Sequence, residues 1–191
     1  MSGCLKFTRK TNKMDIIYRT LVFEELTPAL FAEFCRRQVV TKCWRRVDGE
    51  WVIRDDPFVD DWSAEEYEFL CGCLRNTVSE GGFVYGAFSD GVLKGFVSVE
   101  NGIFGGEHCY MDLSSIHVSE ELRGRGIGTA LFLAAKAWAG EHGAKKLYIS
   151  AHSAVESQAF YKKLGCVEAM LCNKEHVERE PFDCQLEAVI D

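Results

Sequence analysis

The sequence is poor in proline, with three in 191 residues, and it has no low-complexity tract. Neither a disordered linker nor a collagen-like repeat is therefore expected. It also lacks an excess of positive charge: 22 Lys and Arg face 29 Asp and Glu, for a net charge of −7. A nucleic-acid partner would want a basic stripe instead. No apolar stretch approaches the roughly 20 residues a membrane helix needs, and the opening residues lack a signal-peptide core. A cytoplasmic protein with no membrane partner is expected. Cysteine is plentiful, at nine, but the count is odd and the residues (Cys35, Cys71, Cys109, Cys184) are scattered through apolar runs. That suits buried thiols in a reducing compartment. Cys71 and Cys73 form a CxC without the second cluster that metal-site spacing requires, so no metal is expected.

What is present is a core. Apolar residues make up 47% and charged residues 27%, and the length suits one domain over residues 1–191. Residues 1–14 read as a poorly structured leader. Ile16 to Phe23 reads as a first strand, and Thr27-Pro28 as the opening of a helix through about Gln38. Trp44 to Trp62 is polar and aromatic with no clear period. Ser63, with Glu66 three residues on, is a capping box opening a second helix. Phe83 to Glu100 gives two strands around the turn Ser89-Asp90-Gly91, and Cys109 to Val118 one further strand. An apolar face of Ile127, Leu131, Ala134, Ala135 and Trp138 makes a helix ending near Gly143. A strand through Leu147–Ala151 and a helix closed by Gly165 follow. Two short strands close the chain, near Val167–Cys172 and Asp183–Ile190. Meander and βαβ pieces together imply an α+β fold with a mixed, mostly antiparallel sheet.

The stretch Arg123 to Thr129, RGRGIGT, sets three alternating glycines and two arginines at a helix start. The P-loop spacing GxxxxGK[ST] is missing, since no lysine follows at the required distance. The dinucleotide spacing GxGxxG also fails, because Thr129 and Leu131 stand where its third glycine belongs. The backbone amides of Gly124, Arg125, Gly126, Ile127 and Gly128 would still face one way, unobstructed by Cβ atoms. The helix dipole and the side chains of Arg123 and Arg125 add positive charge. A pyrophosphate is the anion that fits.

Arg123-x-x-Gly126-x-Gly128, after the strand ending Ile116-His117-Val118, resembles the acetyl-CoA loop of the GCN5-related N-acetyltransferases. Phe160-Tyr161-Lys162-Lys163-Leu164-Gly165-Cys166 resembles that family's FYxxxGF segment, and the resemblance covers roughly Val84 to Cys172. It implies a GNAT-like sheet flanked by about four helices. It also implies acetyl-CoA as acyl donor, its pyrophosphate on the 123–129 loop and its pantetheine arm added to the edge of Ile116–Val118. Two positions depart from the family pattern: Cys166 replaces a phenylalanine, and His152-Ser153-Ala154 lacks the asparagine often found there.

Acetyl transfer from a thioester to an amine needs a deprotonated amine, an amide to hold the developing oxyanion, and a proton for the departing thiolate. The resemblance gives the last role to Tyr161. Asp112 stands where histone-acetylating members carry a carboxylate, and alternation would set it on one face with Ser114 and Ile116. Glu100 and His152, at strand ends, are reserves. In this family the segment between the first two helices borders the acceptor site. Here it mixes Asp55, Asp56, Asp60 and Asp61 with Trp44, which suits a cationic amine. The expected activity is N-acetylation of a small polyamine- or aminoglycoside-like molecule. The alternatives are a lysine or N-terminal acetyltransferase of proteins and a non-catalytic coenzyme A sensor. The closing strands offer an edge for a homodimer.

Overall fold

Asp48 and Gly49 both have positive φ, 51° and 86°, and this two-residue turn folds the polar-aromatic segment into a hairpin. The computed structural model describes residues 15–190; the expected leader lies outside the described residues. The elements in order are β1 (Ile16–Thr20), a 3-10 turn (Pro28–Phe31), β2 (Gln38–Val47), β3 (Glu50–Asp60), α1 (Ala64–Ser79), β4 (Phe83–Ser89), β5 (Val92–Val99), β6 (Tyr110–Asp112), β7 (Ser115–Val118), α2 (Ile127–Glu141), β8 (Lys146–Ala151), α3 (Val155–Lys163), β9 (Val167–Glu168), α4 (Lys174–Arg179) and β10 (Cys184–Val189).

The strands form two four-stranded sheets, ordered β1-β4-β5-β7 and β6-β8-β10-β9, beside the β2–β3 ribbon. Only β6 and β8 run parallel among these pairings; the remainder are antiparallel. This is the mixed α+β architecture that the element order implied. The chain crosses between the sheets at residues 113–114. Leu113 N still donates to Tyr148 O at 2.9 Å, while Ser114 N donates to Ser98 O at 3.1 Å. Beyond that point β7 follows β5 and β8 follows β10, so the two sheets part.

Each face is covered. On one, α2 buries Ile127, Leu131, Phe132, Ala135 and Ala139 against Val97, Val99, Met111, Leu147 and Ile149. Burying each large apolar side chain stabilises the fold by roughly 1.5–3 kcal/mol. On the other, α1 packs Leu70, Cys71 and Leu74 against Val84, Phe88 and Phe96. The Ser63–Glu66 capping box forms as expected, with Ser63 N to Glu66 Oε2 at 2.7 Å and Glu66 N to Ser63 Oγ at 3.3 Å.

Three expectations are corrected. The helix from Thr27 to Gln38 is only a 3-10 turn, after which the chain extends into β2. Tertiary partners take its backbone: Cys35 N binds Ser119 Oγ at 2.9 Å, Cys35 O accepts from Glu120 N at 2.9 Å, and Arg123 takes the Arg36 and Arg37 carbonyls. Those contacts replace the bonds a helix would have made. The segment without clear period is the β2–β3 ribbon, whose register slips between Val40 and Lys42 opposite Pro57, a position proline tolerates at a bulge. The strand at Cys109–Val118 is two strands, broken at the crossing. In addition, α4 occupies the charged stretch between the closing strands.

Candidate active site

The parting of β7 from β8 opens a cleft, and two cavities share its wall. One, of about 780 Å³, is lined by Ile116, His117, Val118, Arg123, Gly124, Gly126, Ile127, Gly128 and Thr129 along the strand and glycine turn, and by Phe160 and Tyr161 from α3. The other, of about 600 Å³, continues past Ile116, His117 and Tyr161 to Phe58, Asp60, Asp61, Ser150, His152, Glu180 and Asp183. Arg36 and Gln38 belong to both.

The glycine turn is bare for two separate reasons. Gly124 and Gly126 have φ of 75° and 86°, a region that costs an L side chain roughly 1–2 kcal/mol, and a Cβ on either would enter open space. A Cβ on Gly128 would meet Phe160 at 3.1 Å. The first helical bond of α2 is Ala130 N to Gly126 O, 3.0 Å. The preceding amides of the helix start are therefore left without intrahelical acceptors beside the cavity.

The edge of β7 is open too. Ser119 N donates to Lys94 O at 2.9 Å, and His117 is registered against Phe96. Alternation turns the Ser115, His117 and Ser119 groups toward β5 and the Ile116 and Val118 groups toward the cleft. The outward Val118 carbonyl accepts from Arg123 Nε at 2.9 Å.

Arg123 is committed elsewhere than expected. Its guanidinium donates to the Val118 carbonyl and to the Arg37 and Arg36 carbonyls, both at 2.8 Å. Burial, with Arg36 nearby, lowers its pKa. It ties β7 to the segment before β2 and has little left for an anion. Arg125 is exposed and stands outside both cavity linings. Every other cofactor residue read from the sequence lines the first cavity.

Tyr161 lies where the cavities meet. It is 7% exposed, packed against Phe160 and Phe132, and its hydroxyl has no hydrogen-bond partner among the described residues. Burial drives its pKa far above the ordinary phenol value, so it is a protonated hydroxyl throughout the working range. His117 is half-buried, its ring packed against Trp62 and Phe96 at 4.8 and 5.3 Å. Burial and the cations of Arg36 and Arg123 push its pKa well down, keeping the imidazole neutral.

Asp112 is not brought to the cleft. Its Oδ2 pairs with His176 Nε2 of α4 at 2.7 Å, and its Oδ1 is buried without a partner. The break at residues 113–114 interrupts the alternation that would have grouped it with Ile116. Glu100 is likewise engaged, accepting from Thr77 Oγ1 at 2.8 Å and Ser114 Oγ at 2.6 Å. Of the acceptor residues, Asp60 and Asp61 line the second cavity, whereas Trp44, Asp55 and Asp56 do not. Asp55 pairs with Lys42 at 3.7 Å, and Asp56 with Arg45. Trp44 N binds Ser153 O at 2.8 Å, fastening β2 to the start of α3. His152 does line the cavity, and its Nδ1 accepts from Ala154 N at 3.1 Å.

Sequence reading missed Arg36, Ser150, Glu180 and Asp183 as cavity residues. Arg36 bonds Asp60 at 2.5 Å and lies 5.0 Å from the Trp62 ring. None of the four sits in a local motif; the β7–β8 parting and the closing strand bring them together. At the two departures from the family pattern, Gln158 Nε2 takes the His152 carbonyl at 2.9 Å near the α3 start, and Cys166 is a buried thiol that burial pushes up to about 11.

Comparison with known proteins gives a consistent picture. The model described as the acetyltransferase (GNAT) family matches residues 47–166. No curated protein matches the chain by sequence. The crystal structure of nourseothricin acetyltransferase is 18% identical, with a TM-score of 0.66 over 92% of this chain and 99% of that one. A protein described as a streptothricin acetyltransferase from Bacillus anthracis str. Ames, in complex with acetyl coenzyme A, is also 18% identical, with a TM-score of 0.69 over 93% and 100%. The PaiA N-acetyltransferase from Thermoplasma acidophilum, in complex with coenzyme A, is 19% identical, with a TM-score of 0.58 over 92% and 99%. At these identities the likeness is one of fold. No helix among the described residues is long and apolar enough to cross a membrane.

Proposed function

The chain belongs to the GNAT family of acetyltransferases, and on that premise we propose that it transfers acetyl from acetyl-CoA to a primary amine of a small, cationic molecule. The observation that carries this reading is the continuous cleft. One end is built from bare amides and a helix N-terminus, the other from Asp60, Asp61, Glu180 and Asp183, and Tyr161 stands at their junction.

The residues present fit acetyl-CoA. The amides from Gly126 to Thr129 would hold its pyrophosphate, with the open space at Gly124 and Gly126 allowing close approach. The outward groups of Ile116 and Val118 would hydrogen-bond the pantetheine arm as an added strand. When bound, acetyl-CoA supplies an activated acyl thioester. The chain's own contribution is placement and charge. An outward amide of β7 stabilises negative charge on the carbonyl oxygen, and the buried Tyr161 hydroxyl donates a proton to the leaving sulfur. Neutral His117 adds no further positive charge beside Arg36 on the cleft wall.

The acidic end favours a cationic acceptor by Coulomb attraction. Among the described residues, Asp60 alone of its carboxylates forms an ion pair with an arginine or lysine, Arg36. Two of the similar structures are acetyltransferases named for nourseothricin and streptothricin, which makes a streptothricin the first acceptor to try, beside polyamines and aminoglycosides. We assign Asp112 to holding α4 through His176.

Calorimetric titration with acetyl-CoA tests the donor site. Wild type should bind and Gly126→Glu should not, because its carboxylate would occupy the pyrophosphate position. Thiol release with streptothricin, spermidine and kanamycin then tests the acceptor class. Failure of wild type to bind acetyl-CoA would overturn the reading.

A further inference from the structure

The second cavity holds a carboxylate with no task in the fold that accounts for its position. Asp183 stands immediately before β10, on the wall that also contains Ser150, His152 and Tyr161. Its backbone is tied down: Asp183 N donates to Glu180 O at 3.0 Å, and its carbonyl accepts from Gln185 Nε2 at 3.4 Å. Oδ2 accepts from Ser150 Oγ at 3.2 Å. Oδ1 has no hydrogen-bond partner among the described residues, and no arginine or lysine there forms an ion pair with the group. The other acids of the cavity differ. Asp60 is bound to Arg36, Asp61 Oδ1 accepts from Trp62 N at 3.0 Å, and Glu180 is exposed.

We infer that Asp183 is the proton acceptor for the reacting ammonium of the substrate, holding that nitrogen on the wall it shares with the Tyr161 hydroxyl. This inference rests on the acetyltransfer reading and names the base that the reading requires. An alkylammonium has a pKa of about 10.4, so at neutral pH the nucleophile must be deprotonated on the enzyme. The ammonium gives one proton to Asp183, which passes it to water at the open mouth. The neutral nitrogen forms the C–N bond with the thioester carbonyl carbon and the C–S bond breaks. The departing sulfur takes the Tyr161 proton, and the nitrogen's second proton restores the tyrosine hydroxyl. The products are the acetamide, the free thiol and one proton in solution.

The surroundings suit a base. From β8 and its exit, Ser150 and His152 face Asp183; from α4 and its exit, His176 and Glu180; from α3, Tyr161. Burial raises the Asp183 pKa, His152, the Ser150 hydrogen bond and His176 oppose the rise, and Glu180 adds to it. The carboxylate is a stronger base than an exposed aspartate, and an arriving cation favours its ionised form.

The test compares wild type, Asp183→Asn and Asp183→Glu in thiol release with streptothricin, spermidine and kanamycin between about pH 6 and pH 10. At pH 7 the asparagine variant should lose roughly 10²-fold in kcat/KM for the amine, the usual scale for a positioned base. That loss should close toward pH 10, where the amine deprotonates unaided, and glutamate should recover part of it. Acetyl-CoA affinity by calorimetry and Tm should be those of wild type. In the protein alone, a carboxyl carbon resonance titrating above the ordinary aspartate range should vanish in Asp183→Asn. Equal activity of the asparagine variant, or a loss independent of pH, overturns the inference while leaving acetyl transfer standing. A wild type that acetylates none of the three amines overturns the acceptor reading, and this inference falls with it.

Discussion

His176 Nε2 and Asp112 Oδ2 lie 2.7 Å apart, joining α4 to the end of β6. The bond to Asp112 raises the His176 pKa, against the opposing effect of burial. Its folded value therefore lies above the roughly 6.5 of an unfolded histidine. Stability from such a group is complete below that unfolded value and is lost as pH rises through the folded one. His176→Ala should lower stability by about 1–2 kcal/mol at pH 5, the scale of a hydrogen bond to a charged group. The two proteins should converge by about pH 9 in urea titrations followed across pH. A difference constant with pH would refute the assignment.

Arg123 holds three carbonyls with one guanidinium, those of Val118, Arg36 and Arg37. Arg123→Ala should destabilise the protein by about 1–2 kcal/mol, because the partly buried Arg36 carbonyl loses its donor while the Val118 and Arg37 carbonyls turn to water. Arg123→Lys should recover little, since one ammonium lacks the planar fork. Denaturant midpoints measure both. If Arg123 instead served mainly as a phosphate ligand, acetyl-CoA affinity would fall with stability unchanged.

Tyr161→Phe should lower kcat by roughly 10²-fold and leave acetyl-CoA affinity intact, since the ring packing against Phe160 and Phe132 is retained. Because burial raises the tyrosine pKa, its proton stays available through about pH 10. The wild-type rate should therefore show no alkaline fall from this group below that pH. Stopped assays of thiol release over pH decide both points.

Gly49 sits at φ 86° in the turn between β2 and β3, and β3 carries Phe58, Val59 and Asp60 into the acceptor cavity. Gly49→Val should cost about 1–2 kcal/mol of local stability and raise KM for the amine. Acetyl-CoA affinity, set at the other end of the cleft, should not move. Parallel steady-state kinetics and calorimetry separate the two.

The glycine-turn end of the cleft was legible in the sequence because its constraints are local. Positive φ at Gly124 and Gly126, the helix start behind them and the FYxxxG helix are properties of short segments. The Asp48-Gly49 turn was legible in the same way, yet the hairpin was missed. Both faces of that two-stranded ribbon are only partly covered, so its side chains do not alternate between apolar and polar. Residues 27–38 read as a helix from their opening cap, but Ser119, Glu120 and Arg123, more than eighty residues away, took the backbone groups that a helix needs.

By itself the sequence determined the α+β class, the bare amide turn and the tyrosine behind it, since backbone conformation and hydrophobic period are written in neighbouring residues. Only the tertiary structure decided which carboxylates meet in the cleft. One irregular step at Leu113–Ser114 parts β7 from β8 and turns Asp112 toward His176, while Asp183, just before the closing strand, shares a cavity wall with Tyr161. A side chain's facing depends on strand register, and register is set by pairing partners far along the chain.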